Sequence, residues 1–280
     1  MKKSIIILTV FLIGISSSAQ LGTVNDQYTL DSKIMGRTMK YSVYLPEGYD
    51  TSTRSYPVIY LLHGYGGNQS SWIEDGEVNR IVSREITNMN APEMIIVMPD
   101  GGNYFYINTL GDTVRYEDYF IKEFIPNVEK QFRIMSRTNK RAIAGLSMGG
   151  YGALYHVLTH RELFGACYAM SAATGVIDRR GEDERDVDSE YYDSHNIVKL
   201  IQNAEYDPQD PDWRKRFFPM VFLDCGDDDF LTMANNEVYE AFREKQIPVE
   251  YRIHDGGHSW AYWRRALPDA LEYIGTMFRR

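Results

Sequence analysis

Short apolar segments alternate with longer amphipathic segments along nearly the whole chain of 280 residues. Continuous apolar runs are typical of parallel strands buried on both faces, and the chain has five: VIYLLHG, MIIVMPD, RAIAG, FGACYAM and MVFLDCG. The earlier run MKYSVYLP alternates instead, which favours an antiparallel edge strand. This alternation of segments predicts the α/β class, with a mostly parallel central sheet covered by helices on both faces. It excludes an all-α or an all-β protein.

Amphipathic stretches follow several of these strands. We predict helices over five ranges: Asn79–Met89, Tyr116–Phe132, Met148–Leu158, Met233–Lys245 and Trp260–Phe278. Between Ala172 and Phe217 the pattern gives way to charged and tyrosine-rich sequence, RRGEDERDVDSEYYDS and AEYDPQDPDW. We interpret residues 172–217 as an insertion that forms a lid or excursion; a solvated acidic loop is the alternative interpretation.

The N-terminus has the order of a secretory signal peptide. Residues 1–19 contain two lysines, then an apolar run from Ile5 to Ile15, then small residues up to Ala19. We expect cleavage near Ala19, export to the periplasm or the extracellular medium, and one α/β domain over residues 20–280. A retained membrane anchor is the alternative, but the apolar run is shorter than the roughly 20 residues that span a bilayer. No stable membrane insertion is therefore expected once the signal is removed.

The net charge and the positions of the cysteines indicate which partners and which disulfides to expect. The formal net charge is -9, so a nucleic acid partner is not expected. The only two cysteines, Cys167 and Cys225, each lie in an apolar run that predicts a buried strand. A chain of this size can support its own core without a disulfide, so we predict two buried free thiols.

The segment RAIAGLSMGGYGALYHVL contains a G-x-S-x-G motif, Gly145 to Gly149, between a short apolar strand and an amphipathic helix. This context is that of the sharp turn that exposes the nucleophilic serine of an α/β hydrolase. Glycines on either side let the strand and the helix approach without Cβ clashes. The turn also leaves the N–H of Met148 free at a helix N-terminus, where it can stabilise an oxyanion. We therefore predict the α/β-hydrolase fold, with Ser147 as its nucleophile.

An oxyanion hole needs a second donor, which in this fold comes from the loop after the third strand. The segment VIYLLHGYGGNQSSW supplies such a loop. Its glycines, Gly64, Gly66 and Gly67, allow the backbone to approach a substrate carbonyl. We assign the N–H of Tyr65 as the second donor; the alternative is a tight glycine turn with no chemical role.

A serine nucleophile needs a base, and the chain has six histidines: His63, His156, His160, His195, His254 and His258. The chain order of this fold is serine, acid, histidine, which leaves the last two as candidates. His258 lies in the glycine-flanked turn DGGHSW before the last predicted helix, whereas His254 is expected to end a strand. We assign His258 as the general base. Joint metal binding by His254 and His258 is the alternative, which the two glycines between them disfavour.

The carboxylate that orients the imidazole should follow the penultimate strand, where the segment LDCGDDDFL has four aspartates: Asp224, Asp227, Asp228 and Asp229. The acid must lie beyond the end of the strand, which argues against Asp224. Surplus aspartates in a turn commonly serve only the turn. The residues alone leave the other three open.

The sequence resembles the esterase D family of α/β hydrolases, which includes S-formylglutathione hydrolases, feruloyl and acetylxylan esterases, and the antigen 85 mycolyltransferases. The resemblance covers nearly all of the chain after the leader, through YLPEGYD, YPVIYLLHGYGG, MIIVMPDGG, EDYFIKEFIPNVEK, AIAGLSMGGYGAL, CGDDDFL and GGHSWAYWR in this order. It implies Asp229 as the acid, with Asp228 as the fallback, and agrees with His258 as the base. It also implies Tyr65 and Met148 as oxyanion donors. Residues 172–217 depart most from the family. The resemblance therefore predicts the fold and the reaction type better than it predicts the substrate.

These features predict a secreted serine carboxylesterase that hydrolyses acyl esters through an acyl-enzyme, without a metal or an organic cofactor. We expect the substrate to be a small-molecule or oligosaccharide ester, of the feruloyl or acetyl type on plant polysaccharide. Export and the aromatic content of 21 tyrosines and 4 tryptophans favour this class, although Trp260 and Trp263 are expected to pack the last helix. The alternatives are an acyltransferase with a carbohydrate acceptor and a non-catalytic carbohydrate-binding relative; the intact serine, histidine and acid argue against the second.

Overall fold

A computed structural model describes residues 21–175 and 189–280. The predicted signal peptide at residues 1–19 lies outside the described residues. So do residues 176–188 of the predicted insertion. Both assignments stay predictions.

Eight strands form one sheet in the order β1-β2-β4-β3-β5-β6-β7-β8. Their bounds are Thr23–Ser32, Arg37–Leu45, Val58–Leu62, Ile95–Pro99, Arg141–Leu146, Ala166–Met170, Met220–Gly226 and Glu250–His254. The five continuous apolar runs become β3 to β7, and β3 to β8 pair in parallel. The alternating run MKYSVYLP becomes β2, which is antiparallel as predicted, to both β1 and β4. The predicted edge position is wrong, because β1, which was not predicted, pairs on the outer side of β2. The predicted α/β class with a mostly parallel sheet is confirmed.

Helices cover both faces of this sheet. The α-helices are α1 Ser71–Glu74, α2 Val78–Thr87, α3 Tyr116–Tyr119, α4 Ile125–Gln131, α5 Met148–Thr159, α6 Ser189–His195, α7 Ile197–Asn203, α8 Trp213–Arg216, α9 Thr232–Glu244 and α10 Trp260–Phe278. A π-helical turn, Phe120–Phe124, joins α3 to α4. The five predicted helices are confirmed to within two residues at each end. The helices of four to seven residues at α1, α6, α7 and α8 were not predicted, because such short segments show no resolvable period.

Each buried strand contributes to two cores, which explains its continuous apolar sequence. On β3, Val58, Tyr60 and Leu62 point to the core beneath α3, α4, α5, α7 and α9. Ile59 and Leu61 point to the opposite core beneath α1, α2 and α10. Successive strand residues face opposite sides of a sheet, so a strand covered on both sides must be apolar throughout.

The described part of the predicted insertion packs on the body of the domain. Ile197 and Ile201 on α7 are buried in the larger core. The hydroxyl of Tyr151 on α5 donates to the backbone carbonyl of His195, at 2.8 Å. Residues 189–203 of the segment are therefore largely helical and anchored, whereas residues 204–217 are mostly exposed and contain only the short helix α8.

Cys167 and Cys225 are free and buried, as predicted. Across residues 21–175 and 189–280, no helix combines the length and the apolar character that crossing a bilayer requires.

Candidate active site

Ser147 lies on a strained turn between β5 and α5. Its backbone has φ 54° and ψ -117°, a conformation that costs a non-glycine residue free energy and persists only when the surroundings hold it. Its N–H donates to the carbonyl of Met170 at 2.9 Å, and its carbonyl accepts from Tyr151 and Ala173, each at 3.0 Å. These bonds fix the turn to β6 and to the helix it begins.

The glycines of the motif are required by close packing around this turn. A Cβ on Gly145 would lie 2.4 Å from the carbonyl oxygen of Gly149, and a Cβ on Gly149 would lie 2.5 Å from that of Leu62. Real Cβ atoms essentially never approach that closely. The steric role predicted for these glycines is confirmed.

His258 connects the serine to a carboxylate. Its Nε2 lies 3.0 Å from Oγ of Ser147. Its Nδ1 lies 2.9 Å from Oδ2 and 3.2 Å from Oδ1 of Asp229. An ionised carboxylate can only accept, so Nδ1 carries the hydrogen and Nε2 is free to accept the serine proton. The structure thus brings three predicted site residues, far apart in sequence, into hydrogen-bonding contact.

The Asp229 carboxylate is kept ionised although it is inaccessible to solvent, with a side-chain exposure of 0%. Burial raises the pKa of this carboxyl. Hydrogen bonds from His258, from the backbone N–H of Leu231 and from Ser171 outweigh that effect, so the pKa is lower than usual. The Leu231 bond, 2.9 Å to Oδ1, holds the carboxylate independently of the histidine.

The other three aspartates of the segment are engaged elsewhere. Asp227 and Asp228 are exposed, and Oδ1 of Asp227 accepts from the N–H of Gly256 at 3.0 Å. Asp224 is fully buried and accepts two tyrosine hydroxyls. Of these four aspartates, the hydrogen-bond partner of His258 is Asp229.

Two aromatic rings flank the imidazole. The Trp263 ring lies 4.9 Å from the His258 ring, centroid to centroid and nearly perpendicular. The Phe230 ring lies 4.7 Å from it, and Phe230 is 74% exposed. The indole N–H of Trp263 donates to Oγ of Ser171 at 3.2 Å, which fixes the inner ring.

The loop after β3 lies against the serine. A Cβ on Gly64 would lie 3.4 Å from the Cβ of Ser147. In the described part of the chain, no protein acceptor takes the amide hydrogen of Tyr65 or of Met148. Both predicted oxyanion donors therefore remain available to a ligand.

Sequence reasoning missed the residues that hold this loop. His63, which we excluded as the general base because it precedes the serine in the chain, is buried. Its Nδ1 lies 2.7 Å from the carbonyl oxygen of Gly64, and its Nε2 accepts a hydrogen bond from the N–H of Gly101 at 2.8 Å. Asn103 accepts from the N–H of Gly66 at 2.7 Å. The position of His63 directly before the glycines was an available signal. The contact between Asn103 and Gly66 joins residues 37 positions apart, and no sequence pattern indicated it.

A cavity of about 420 Å³ opens beside the serine. It is lined by Gly64, Tyr65, Gly66, Gly67, Asn68, Ser71, Glu74, Asp75, Leu146, Ser147, His258, Trp260 and Trp263. Trp260 packs edge-on against Trp72 at 5.3 Å, and Trp263 is buried. The two tryptophans thus pack the last helix, as expected, and also form a wall of the cavity.

The two histidines weighed as a metal pair have different surroundings. His254 ends β8, as expected, and does not line the cavity that contains Ser147 and His258. Among the described residues, Asp224, His254 and Asp269 place ligand atoms within 4.8 Å of one another and could hold a metal ion. None of the three lines that cavity.

The chain is similar to known esterases over most of its length. Residues 32–274 match the model of the Esterase family, described as "Putative esterase". An acetyl esterase of Caldicellulosiruptor saccharolyticus is 26% identical over 237 residues, covering 81% of this chain and 86% of that protein. An endo-1,4-beta-xylanase/feruloyl esterase of Xylanibacter ruminicola is 28% identical over 249 residues, which are 86% of this chain but only 30% of that longer protein.

Among solved structures, a ferulic acid esterase superposes with a TM-score of 0.79 at 34% sequence identity. The match covers 92% of this chain and 98% of that one.

Proposed function

Because the chain belongs to the Esterase family and is a serine carboxylic-ester hydrolase, we propose that Ser147 is its nucleophile, His258 its general base and Asp229 the carboxylate that orients the imidazole. The observation that carries this proposal is the continuous contact from Asp229 through His258 to Oγ of Ser147.

In the acylation step, Oγ of Ser147 attacks the ester carbonyl carbon while Nε2 of His258 takes the hydroxyl proton. The carbonyl oxygen becomes an oxyanion, which the N–H groups of Tyr65 and Met148 stabilise. When the tetrahedral intermediate collapses, the bond to the alcohol oxygen breaks, and the imidazolium gives its proton to that oxygen. The alcohol leaves, and an acyl-enzyme remains.

Deacylation repeats these steps with water in place of the alcohol. His258 removes a proton from the attacking water, and the acyl carbon becomes tetrahedral again. The proton then returns to Oγ as the acid is released. Asp229 stays ionised throughout and stabilises the imidazolium that forms twice per cycle, consistent with the lowered pKa of its carboxyl.

For the substrate, we propose acetyl or feruloyl esters of plant polysaccharide or of its oligomers. Similarity to an acetyl esterase and to ferulic acid esterases supports this class. The exposed Phe230 ring beside His258 and the Trp260 wall offer aromatic surface to a phenolic or a sugar ring. The leader-like residues 1–19 support export, which the mass of the secreted mature chain would test.

Kinetics on four substrates test this proposal: methyl ferulate, acetylated xylan, tributyrin and S-formylglutathione. We expect the first two to give the highest kcat/KM and the glutathione thioester the lowest. In parallel, Ser147→Ala should lower kcat by on the order of 10⁴-fold with an unchanged circular dichroism spectrum. Wild-type turnover by a folded Ser147→Ala variant would refute the assignment of the nucleophile.

A further inference from the structure

Two carboxylates, Glu74 and Asp75, line the cavity beside Ser147, and among residues 21–175 and 189–280 no lysine or arginine lines it. Glu74 ends α1, Asp75 follows it, and both are exposed. The nearby Arg264 forms its ion pair with another carboxylate: its Nε lies 3.5 Å from the Glu77 carboxylate, and its Nη1 donates to the backbone carbonyl of Asp75 at 2.7 Å. The described lining of the cavity therefore carries two carboxylates and no lysine or arginine.

Such charges act on whatever enters a concave site. Clefts lined by one sign of charge focus the potential, so a like-charged ligand is repelled while a neutral or cationic one is not. Asn68 and Ser71 also line the cavity, and together with the indole of Trp260 they suit an uncharged arm that carries hydroxyl groups.

We propose that Glu74 and Asp75 determine which esters the enzyme accepts, by admitting an uncharged, hydroxyl-rich arm of the substrate and rejecting an anionic arm. The inference rests on the proposed function, because it takes Ser147 as the reacting residue of this cavity. It adds selection by the charge of the substrate, which neither the nucleophile nor the oxyanion donors provide; we call this the charge criterion.

The test compares matched neutral and anionic esters on both arms of the substrate. 4-Nitrophenyl butyrate and 4-nitrophenyl hemisuccinate differ in the charge of the acyl arm. Phenyl acetate and 4-carboxyphenyl acetate differ in the charge of the alcohol arm. The readout is the ratio of kcat/KM for the anionic ester to that for the neutral ester, which cancels general changes in activity.

The test variant is Glu74→Gln/Asp75→Asn. The matched control, Glu240→Gln/Glu244→Gln, removes the same two charges from exposed positions on α9 that do not line the cavity.

In the test variant, the anionic-to-neutral ratio should rise at least about threefold for at least one ester pair, because two like charges are removed from the lining of the cavity. The control variant should keep the wild-type ratio. As a second measurement that needs no variant, raising the salt concentration to about 1 M should increase the wild-type ratio, because it shortens the screening length to about 3 Å.

A rise below about threefold in both pairs, or an equal rise in the control variant, would overturn the charge criterion. The activity of Ser147→Ala distinguishes failure of the charge criterion from failure of the proposed function. If Ser147→Ala is inactive while the ratios do not change, only the charge criterion fails. If Ser147→Ala hydrolyses the neutral esters like the wild type, the proposed function fails whatever the ratios.

Discussion

Replacing Asp229 with asparagine preserves the size of the side chain but is expected to lower kcat by on the order of 10⁴-fold. Nδ1 of His258 donates to a carboxylate that is buried and fixed by the N–H of Leu231. An asparagine that keeps the Leu231 bond through its oxygen turns its NH₂ group toward Nδ1. The imidazole then carries its hydrogen on Nε2 and cannot accept the proton of Ser147.

This loss corresponds to about 5.5 kcal/mol of transition-state stabilisation, at about 1.4 kcal/mol for each factor of ten. Hydrolysis of 4-nitrophenyl acetate measures it, with circular dichroism to confirm folding. Asp228→Asn is the matched control, because Asp228 is the exposed neighbour and the carboxylate bonded to His258 belongs to Asp229. The kcat of this control should stay within about twofold of wild type.

The reasoning would be refuted if Asp229→Asn stayed within about tenfold of wild type, since removal of a residue that orients the base should cost far more. It would also be refuted if Asp228→Asn lost as much activity as Asp229→Asn.

Three further predictions concern stability. Ser147→Gly should be more stable than Ser147→Ala by about 1 kcal/mol, because φ of 54° favours glycine; an equal or lower Tm for the glycine variant would contradict this. Glu129→Ala should lower the free energy of unfolding by about 3 kcal/mol, because it leaves the buried Arg141 unpaired. Urea denaturation measures that loss, and a value under about 1 kcal/mol would speak against it. The pKa of Asp229 is lower in the folded state than in the unfolded state. Ionisation of Asp229 therefore stabilises the fold above the unfolded pKa of about 4, and this contribution is lost as pH falls through the folded pKa. The stability of wild type relative to Asp229→Asn should therefore decrease as pH falls from about 6 to about 3, and a constant difference in urea midpoints would contradict this.

Local patterns account for the parts of the fold that the sequence predicted correctly. The residues of β3 alternate between two cores, so its run is apolar at every position, and this signal requires no tertiary information. The turn at Ser147 was predictable for the same reason, since the strand, the glycines and the helix that build it are contiguous. The resemblance to the esterase D family, carried by ordered local motifs, is confirmed by the match over residues 32–274.

Contacts between distant segments account for what the sequence left open. Spacing alone did not choose among the aspartates after β7, because the choice depends on which carboxylate turns inward to meet His258. Asn103 was missed because its contact with the loop after β3 is purely tertiary. The insertion at residues 172–217 lacks a clear pattern because its described helices have only four to seven residues, although Ile197 and Ile201 are buried.

The most direct test of the proposed chemistry is to trap and locate the acyl-enzyme. The enzyme is mixed with 4-nitrophenyl acetate, quenched in acid during the initial burst, digested and mapped by mass spectrometry. We predict one acetyl group per chain, located on Ser147 and absent from the His258→Ala variant treated in the same way. An acetyl group on another residue, or full turnover by wild type with no covalent intermediate under any quench time, would contradict the account.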